Sequence, residues 1–380
     1  MRERNKLMIV AGEPSGDAHA AALVKALRGR ADLDFFGATG PLMRDAGVET
    51  IINSDELAIM GIVEVGRVFS KFINAFRKLK AAAIERSPDA VVLVDWPEFN
   101  LRLASSLHRR GLKVIYYISP QLWAWRPRRV SNIKRDVDLL LSILPFEVEW
   151  YKARGVEHVE FVGHPLSGEV KARFGREEFC RRNDLDPARP VISFLPGSRI
   201  KELQRILPPM LAAIEQLQIA RPDVQTVVVV APSRVVEEIR EIASIDVKLI
   251  EQQTREALGA SDATAIASGT ATLEAALLET PMVVVYKESP INWHTLGRLI
   301  TVPHFGLVNL VAGREIAKEL MQDELTGENL ANELLKLLEP ETNREVRETL
   351  KDVSSKLGAP GASERAAELI VKFLAADERR

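Results

Sequence analysis

The sequence predicts an α/β protein of two doubly wound parallel-sheet domains that face each other across a cleft. Three observations carry this expectation. Short β-branched and other apolar runs alternate with helical patterns along the chain. The runs are apolar at consecutive positions, as in strands covered on both faces of a parallel sheet. The alternation also starts twice, at Leu7 and at Pro190, with a charged, strand-free stretch over 168–190 between the two starts. Strand carboxyl ends are where such sheets bind ligands, so the gap between the domains is the natural site.

Length and composition agree. A chain of 380 residues suggests two domains, and 46% hydrophobic with 27% charged residues is ordinary for a globular protein. A net charge of −2 lacks the basic excess of a nucleic-acid binder. The single cysteine, Cys180, allows neither an internal disulfide nor a cysteine zinc site, and fits a reducing compartment. The apolar stretch behind Arg2, Arg4 and Lys6 is too short for a signal peptide. No run approaches the ~20 apolar residues of a spanning helix, so any membrane attachment is expected to be peripheral.

In the first half, strands are expected over 7–11, 33–36, 90–95, 113–118, 139–144 and 159–162. In the second they are expected over 190–195, 226–231, 247–250, 263–267 and 282–286, with a helix over 200–220. The domains are placed at 1–167 and 168–350, followed by a charged helical tail over 351–380 that packs on an N-terminal domain.

The first strand runs into Gly12-Glu13-Pro14-Ser15-Gly16-Asp17 and then an Ala-rich helical stretch. Glycines in such a turn let backbone approach a ligand, and the helix start offers free N–H groups. The motif is neither a Walker A loop nor G-x-G-x-x-G. Ser15, Gly16 and Asp17 are the candidate ligand residues here.

Asp95 ends the apolar run 90–94 and is followed by Trp96-Pro97-Glu98-Phe99-Asn100. A carboxylate at a buried strand's carboxyl end points into the crevice, and partial burial beside an aromatic ring raises its proton affinity, as a general base requires. Helix capping is the competing role for Asp95, and Glu98 reads as a surface group. After the next strand, Trp123-Ala124-Trp125-Arg126 offers an aromatic wall with a cation. The neighbouring Arg128, Arg129, Lys134 and Arg135 read as a solvated basic face.

In the second half, Pro196-Gly197-Ser198-Arg199 closes the first strand. Backbone N–H groups at Gly197 and Ser198 and the Arg199 guanidinium suit a diphosphate. Ser268-Gly269-Thr270 opens a helix after strand 263–267, and Glu274, one turn in, can accept from ribose hydroxyls. A capping box is the alternative for Glu274. Together these strand ends favour a nucleotide diphosphate. The scheme needs no metal or other cofactor, and the six histidines form no metal-spaced pair. His164 reads as structural or hinge-lining.

Residues 65–84 carry Arg67, Lys71, Arg77, Lys78 and Lys80 and no acid, with Val65, Val68, Phe69, Phe72, Ile73 and Phe76 at helical spacing. That is either a membrane-surface helix or an ordinary core-facing one.

Taken in order, the turn at 12–17, Met60-Gly61-Ile62-Val63-Glu64-Val65, Asp95-Trp96-Pro97-Glu98-Phe99-Asn100, Trp123-Ala124-Trp125-Arg126, Gly163-His164-Pro165, Leu195-Pro196-Gly197-Ser198-Arg199 and Ser268-Gly269-Thr270-Ala271-Thr272-Leu273-Glu274 resemble the lipid-A-disaccharide synthases. Gly306-Leu307-Val308-Asn309-Leu310 and the segment 357–363 extend the match. The resemblance implies an inverting, metal-independent GT-B glycosyltransferase. It would join UDP-2,3-diacylglucosamine to 2,3-diacylglucosamine 1-phosphate (lipid X), giving the β-1,6-linked lipid A disaccharide 1-phosphate and UDP. It implies Asp95 as base, and Arg199, Glu274 and Asn309 as nucleotide contacts. Ser15 falls where the family has a functionally important serine, and Asn100 and Arg126 join it on the acceptor side. It also implies a homodimer lying peripherally on the anionic inner face of the bacterial inner membrane. The rival readings are a UDP-sugar 2-epimerase of the same architecture and a non-catalytic nucleotide-binding protein.

Overall fold

A computed structural model describes residues 5–55, 65–234, 236–242, 246–290, 293 and 302–377, without the side chains of 65–69 and 377. Met60 to Glu64 of the second motif, and the side chains of Val65, Val68 and Phe69, lie outside this description. The chain divides into two compact units, Met1–Gly168 with Gly358–Arg380, and Glu169–Leu357.

The first unit runs β1 (Asn5–Ala11), α1 (Pro14–Arg28), β2 (Leu33–Thr39), α2 (Pro41–Asp45), β3 (Glu49–Asn53), α3 (Val65–Arg86), β4 (Ala90–Val94), α4 (Pro97–His108), β5 (Val114–Tyr117), α5 (Leu122–Trp125), α6 (Val130–Asp136), β6 (Leu139–Ser142), α7 (Pro145–Lys152) and β7 (Val159–Phe161). Its sheet is parallel, in the order β3-β2-β1-β4-β5-β6-β7. The order reverses at β1 and β4, so the turns after those two strands lie at the switch point where open α/β sheets take ligands. The side chains of β1 alternate between two cores. Leu7 and Ile9 pack on the α1 side, while Met8 and Val10 pack on the side of α3 and α4.

After α8 (Leu166–Glu169) the second unit runs α9 (Arg176–Arg182), β8 (Val191–Leu195), α10 (Ile200–Ala220), β9 (Gln225–Val230), α11 (Val236–Ile242), β10 (Lys248–Glu251), α12 (Thr254–Ala260), β11 (Ala263–Ala267), α13 (Ala271–Leu277), β12 (Met282–Tyr286), α14 (Leu307–Ala312), β13 (Glu319–Met321), α15 (Gly327–Leu337) and α16 (Pro340–Lys356). Its parallel sheet has the order β10-β9-β8-β11-β12-β13, with its own switch point at β8 and β11. The last helix, α17 (Ala362–Asp377), belongs to the first unit, where Ala366, Ala367 and Ile370 are buried in the α1-side core. The chain leaves the second unit at Leu357, later than the expected 350, because α16 stays packed on α13 and α14.

Each expected strand is present within a residue or two, apart from 33–36, which extends to Thr39. β3 and β13 were not expected. Both are edge strands without a continuous apolar run, and the pattern search keys on such runs. No helix among the described residues is long and apolar enough to cross a membrane.

Candidate active site

In the first unit the chain leaves β4 through two consecutive non-glycine residues in the left-handed region, Asp95 (φ 49°) and Trp96 (φ 50°). Beyond β5, Ile118 does the same (φ 63°). Such conformations cost roughly 1–2 kcal/mol each and persist only where surrounding contacts over-determine them. Here the Asp95 carbonyl accepts from the buried Tyr116 hydroxyl at 2.7 Å and from Asn100 Nδ2 at 2.8 Å. Asn100 Nδ2 also reaches the Val94 carbonyl at 3.2 Å.

The residue at the N-cap of α4 is Trp96, not Asp95, so the Asp95 carboxyl is not spent on capping that helix. Burial first, then the nearby Glu13 carboxylate, push it up from 3.8 to about 6 against a smaller opposing pull from the Trp96 amide. The Trp96 indole stacks on Phe99 at 4.1 Å and lies directly on Gly12, where a Cβ would come within 2.1 Å of the ring. Gly12 is therefore a close-approach glycine, and it brings the turns after β1 and β4 together. Ser15 is exposed in the first turn of α1 and Gly16 is buried beside it.

Three expected site residues have other roles. Asp17 is buried, and its carboxylate accepts from the amides of Gly40, Leu42 and Met43 at 2.8–3.1 Å, holding the start of α2. Asn100 is wholly buried beneath Asp95 rather than facing a ligand. Arg126 stacks on Trp125 at 3.8 Å and is neutralised by Glu98, which also binds Arg129. Those arginines hold the Glu98 carboxyl below its ordinary range, so it is no rival base.

The helix α3 also divides. Phe72 and Phe76 pack against Trp96 and Phe99 in the core, as a core-facing helix would have them. Ile73 is 37% exposed.

In the first turn of α7, Glu147 is fully buried and accepts from Ser119 Oγ (2.5 Å), Ser142 Oγ (2.7 Å), Trp123 Nε1 (2.8 Å) and the Leu144 amide (3.3 Å). It fixes the aromatic segment that follows β5.

In the second unit, Gly197 (φ 110°), Ser198 and Arg199 form the turn from β8 into α10. Arg199 is 82% exposed, and its guanidinium binds Glu202 Oε1 at 2.7 Å. Glu202 Oε2 lies 3.4 and 3.3 Å from the Ser198 and Arg199 amides. The chain's own carboxylate thus covers the donors expected to take a diphosphate. Beyond it Arg205 pairs with Glu288.

After β11, a Cβ at Gly269 would face open space, and Thr270 is exposed at the N-cap of α13. Ser268 Oγ donates to the Phe305 carbonyl at 2.8 Å. Glu274 makes no capping box. It accepts from Arg255 Nε at 3.0 Å, and Arg255 Nη1 in turn reaches the Glu169 carbonyl at 2.6 Å.

Asn309, expected at the nucleotide, is wholly buried with its amide fully used. Nδ2 donates to the Ala317 carbonyl and Glu319 Oε1, and Oδ1 accepts from the Ile316 and Ala317 amides, all at 2.7–2.9 Å. It braces the loop into β13. His164 is also buried, and its Nδ1 accepts the Leu166 amide at 3.2 Å. Burial, then His19, lower it to about 4, so it is neutral at pH 7. Among the described residues, no group of three or more His, Cys, Asp or Glu side chains could hold a metal ion.

Sequence reasoning missed Tyr116, Glu147, Glu202 and Arg255. Glu147 and Glu202 left a signal, a carboxylate three residues after the residue that opens a helix.

Two parallel doubly wound units, each with its polar residues at strand carboxyl ends, define a GT-B-type fold. The same fold occurs in a kitacinnamycin glycotransferase (TM-score 0.65, 16% identity, covering 98% of this chain and all of that one). It also occurs in a putative UDP-N-acetylglucosamine 2-epimerase from Listeria monocytogenes (TM-score 0.63, 15% identity, 99% and 98% covered). Fold alone does not separate transferase from epimerase.

The sequence does separate them. A lipid-A-disaccharide synthetase family model matches residues 7–373. The lipid-A-disaccharide synthase of Geobacter sulfurreducens is 42% identical over 375 residues, 97% of each chain. The chain belongs to the lipid-A-disaccharide synthase family, and is a hexosyltransferase of lipid A disaccharide formation.

Proposed function

We propose that the chain transfers 2,3-diacylglucosamine from its UDP derivative to the 6-hydroxyl of 2,3-diacylglucosamine 1-phosphate, with inversion. The observation that carries this reading is the Asp95 carboxyl, partly buried at the carboxyl end of β4 and raised to about 6. It is ionised at pH 7 yet basic enough to take a proton.

The acceptor oxygen gives its proton to Asp95 as it bonds to the anomeric carbon. The bond from that carbon to the diphosphate oxygen breaks on the opposite face, and UDP leaves with the electron pair. Gly197, Ser198 and Arg199 meet the leaving diphosphate, which displaces Glu202 from the same donors. Ser268, Gly269 and Thr270 present the start of α13, and Glu274, oriented by Arg255, accepts from the ribose. Ser15 and the turn at Gly12 face the acceptor beside Asp95.

The acylated substrates lie in a membrane, and α3 supplies peripheral contact with an anionic surface through its cations and Ile73. Incubation with acylated UDP-glucosamine and lipid X, read by mass spectrometry, tests the reading. Disaccharide 1-phosphate and UDP are expected in equal amounts. UDP-sugar isomerisation without acceptor, or no product, would contradict it.

A further inference from the structure

Asp95 is aimed by its main chain. Its backbone lies in the left-handed region, as does that of Trp96 after it, so two adjacent residues with side chains hold a conformation that glycine would adopt more readily. The Asp95 amide donates to the Tyr117 carbonyl at 3.1 Å, and the Asp95 carbonyl receives two donors, Tyr116 Oη and Asn100 Nδ2. A carbonyl has two lone pairs, so this one is saturated from two sides. Tyr116 belongs to the neighbouring strand β5 and Asn100 to the first turn of α4. Both side chains are wholly buried, with rotamers set by packing. The clamp is built from rigid elements on either side of the turn.

We infer that Tyr116 and Asn100 are positioning residues for the reaction. By pinning the Asp95 carbonyl they hold the strained turn that presents its carboxyl to the acceptor hydroxyl. The inference rests on the reading of Asp95 as the base. Tyr116 makes no bond to the carboxyl oxygens, so its effect passes entirely through the backbone of residue 95. Loss of its hydroxyl lets the turn relax toward ordinary backbone angles and swings the carboxyl off its line. A displacement on the order of 1 Å at a reacting group costs up to about 100-fold in rate.

Tyr116→Phe removes one hydroxyl and leaves the ring in place. The expected result is a fall in kcat of about tenfold or more with KM for both substrates unchanged. The acidic limb of the pH–rate profile should move below its midpoint near 6, because a carboxyl released from its buried setting ionises more easily.

The decisive comparison repeats Tyr116→Phe in an Asp95→Asn background. If the tyrosine acts through Asp95, the second change costs nothing further, whereas a general structural defect costs the same factor in both backgrounds. Equal losses in both backgrounds, or wild-type kcat and an unmoved limb in the single variant, overturn the inference. Normal turnover in Asp95→Asn alone would instead overturn the base assignment on which it rests. Should Tyr116→Phe fold poorly, Asn100→Ser, which shortens the second clamp, is read by the same two-background comparison.

Discussion

At the scale of single residues, the proposed chemistry depends on a carboxyl kept at a cost to stability. Asp95 ionises near 3.8 when unfolded and near 6 in the fold. The folded state therefore binds this proton more tightly. The group's contribution to stability is full below 3.8 and is lost as pH rises through about 6. Asp95→Asn should stabilise the protein at pH 7 by on the order of 1–3 kcal/mol, with the gain vanishing below pH 4, as thermal melts at both pH values would show. Activity runs the opposite way, since a base must be ionised. Turnover of the unaltered chain should fall about tenfold per pH unit below 6. Asp95 itself was legible in the sequence because it ends an apolar run. The Asp17 carboxylate and the Asn309 amide serve buried main chain, at Gly40 and at Ile316 and Ala317, and no local pattern announces these partners. Glu202 covers the donors proposed for the diphosphate, so Glu202→Gln should tighten UDP binding several-fold while leaving uridine binding unchanged, measurable by calorimetry.

At the scale of elements, the strands were legible where an apolar run marks them, the edge strands β7 and β10 included, and β3 and β13 were missed because Glu49–Asn53 and Glu319–Met321 lack such a run. Periodicity could not say whether α3 serves core or membrane, because both readings place apolar residues on one stripe. The structure separates the described positions. Phe72→Ser removes a ring packed on Trp96 and Phe99 and should cost about 3–5 kcal/mol of stability, so its effect on vesicle binding would be confounded. Ile73→Ser should leave the melting temperature nearly unchanged and weaken association with anionic vesicles. An unchanged vesicle affinity would remove Ile73 from any membrane contact. The segment after β5 depends on one buried carboxyl. Glu147→Ala strands the donors of Ser119, Trp123 and Ser142 and should destabilise by about 3–5 kcal/mol.

At the scale of the whole molecule, the repeated βα alternation made the two-unit architecture readable, since each unit restarts the pattern. The return of α17 to the first unit leaves a weaker trace, because an amphipathic helix suits any apolar surface equally well. Truncation at Leu357 would uncover the core around Ala366 and Ile370, and should lower the unfolding temperature of the first unit while sparing the second, resolvable by calorimetry. The proposed reaction rests on one carboxyl, that of Asp95, acting as the base. The most direct measurement is kcat of Asp95→Asn at saturating donor and acceptor, taken beside its affinity for UDP. The account predicts unchanged UDP binding with turnover reduced by about 10²–10⁴. Turnover within a few-fold of the unaltered chain would contradict it.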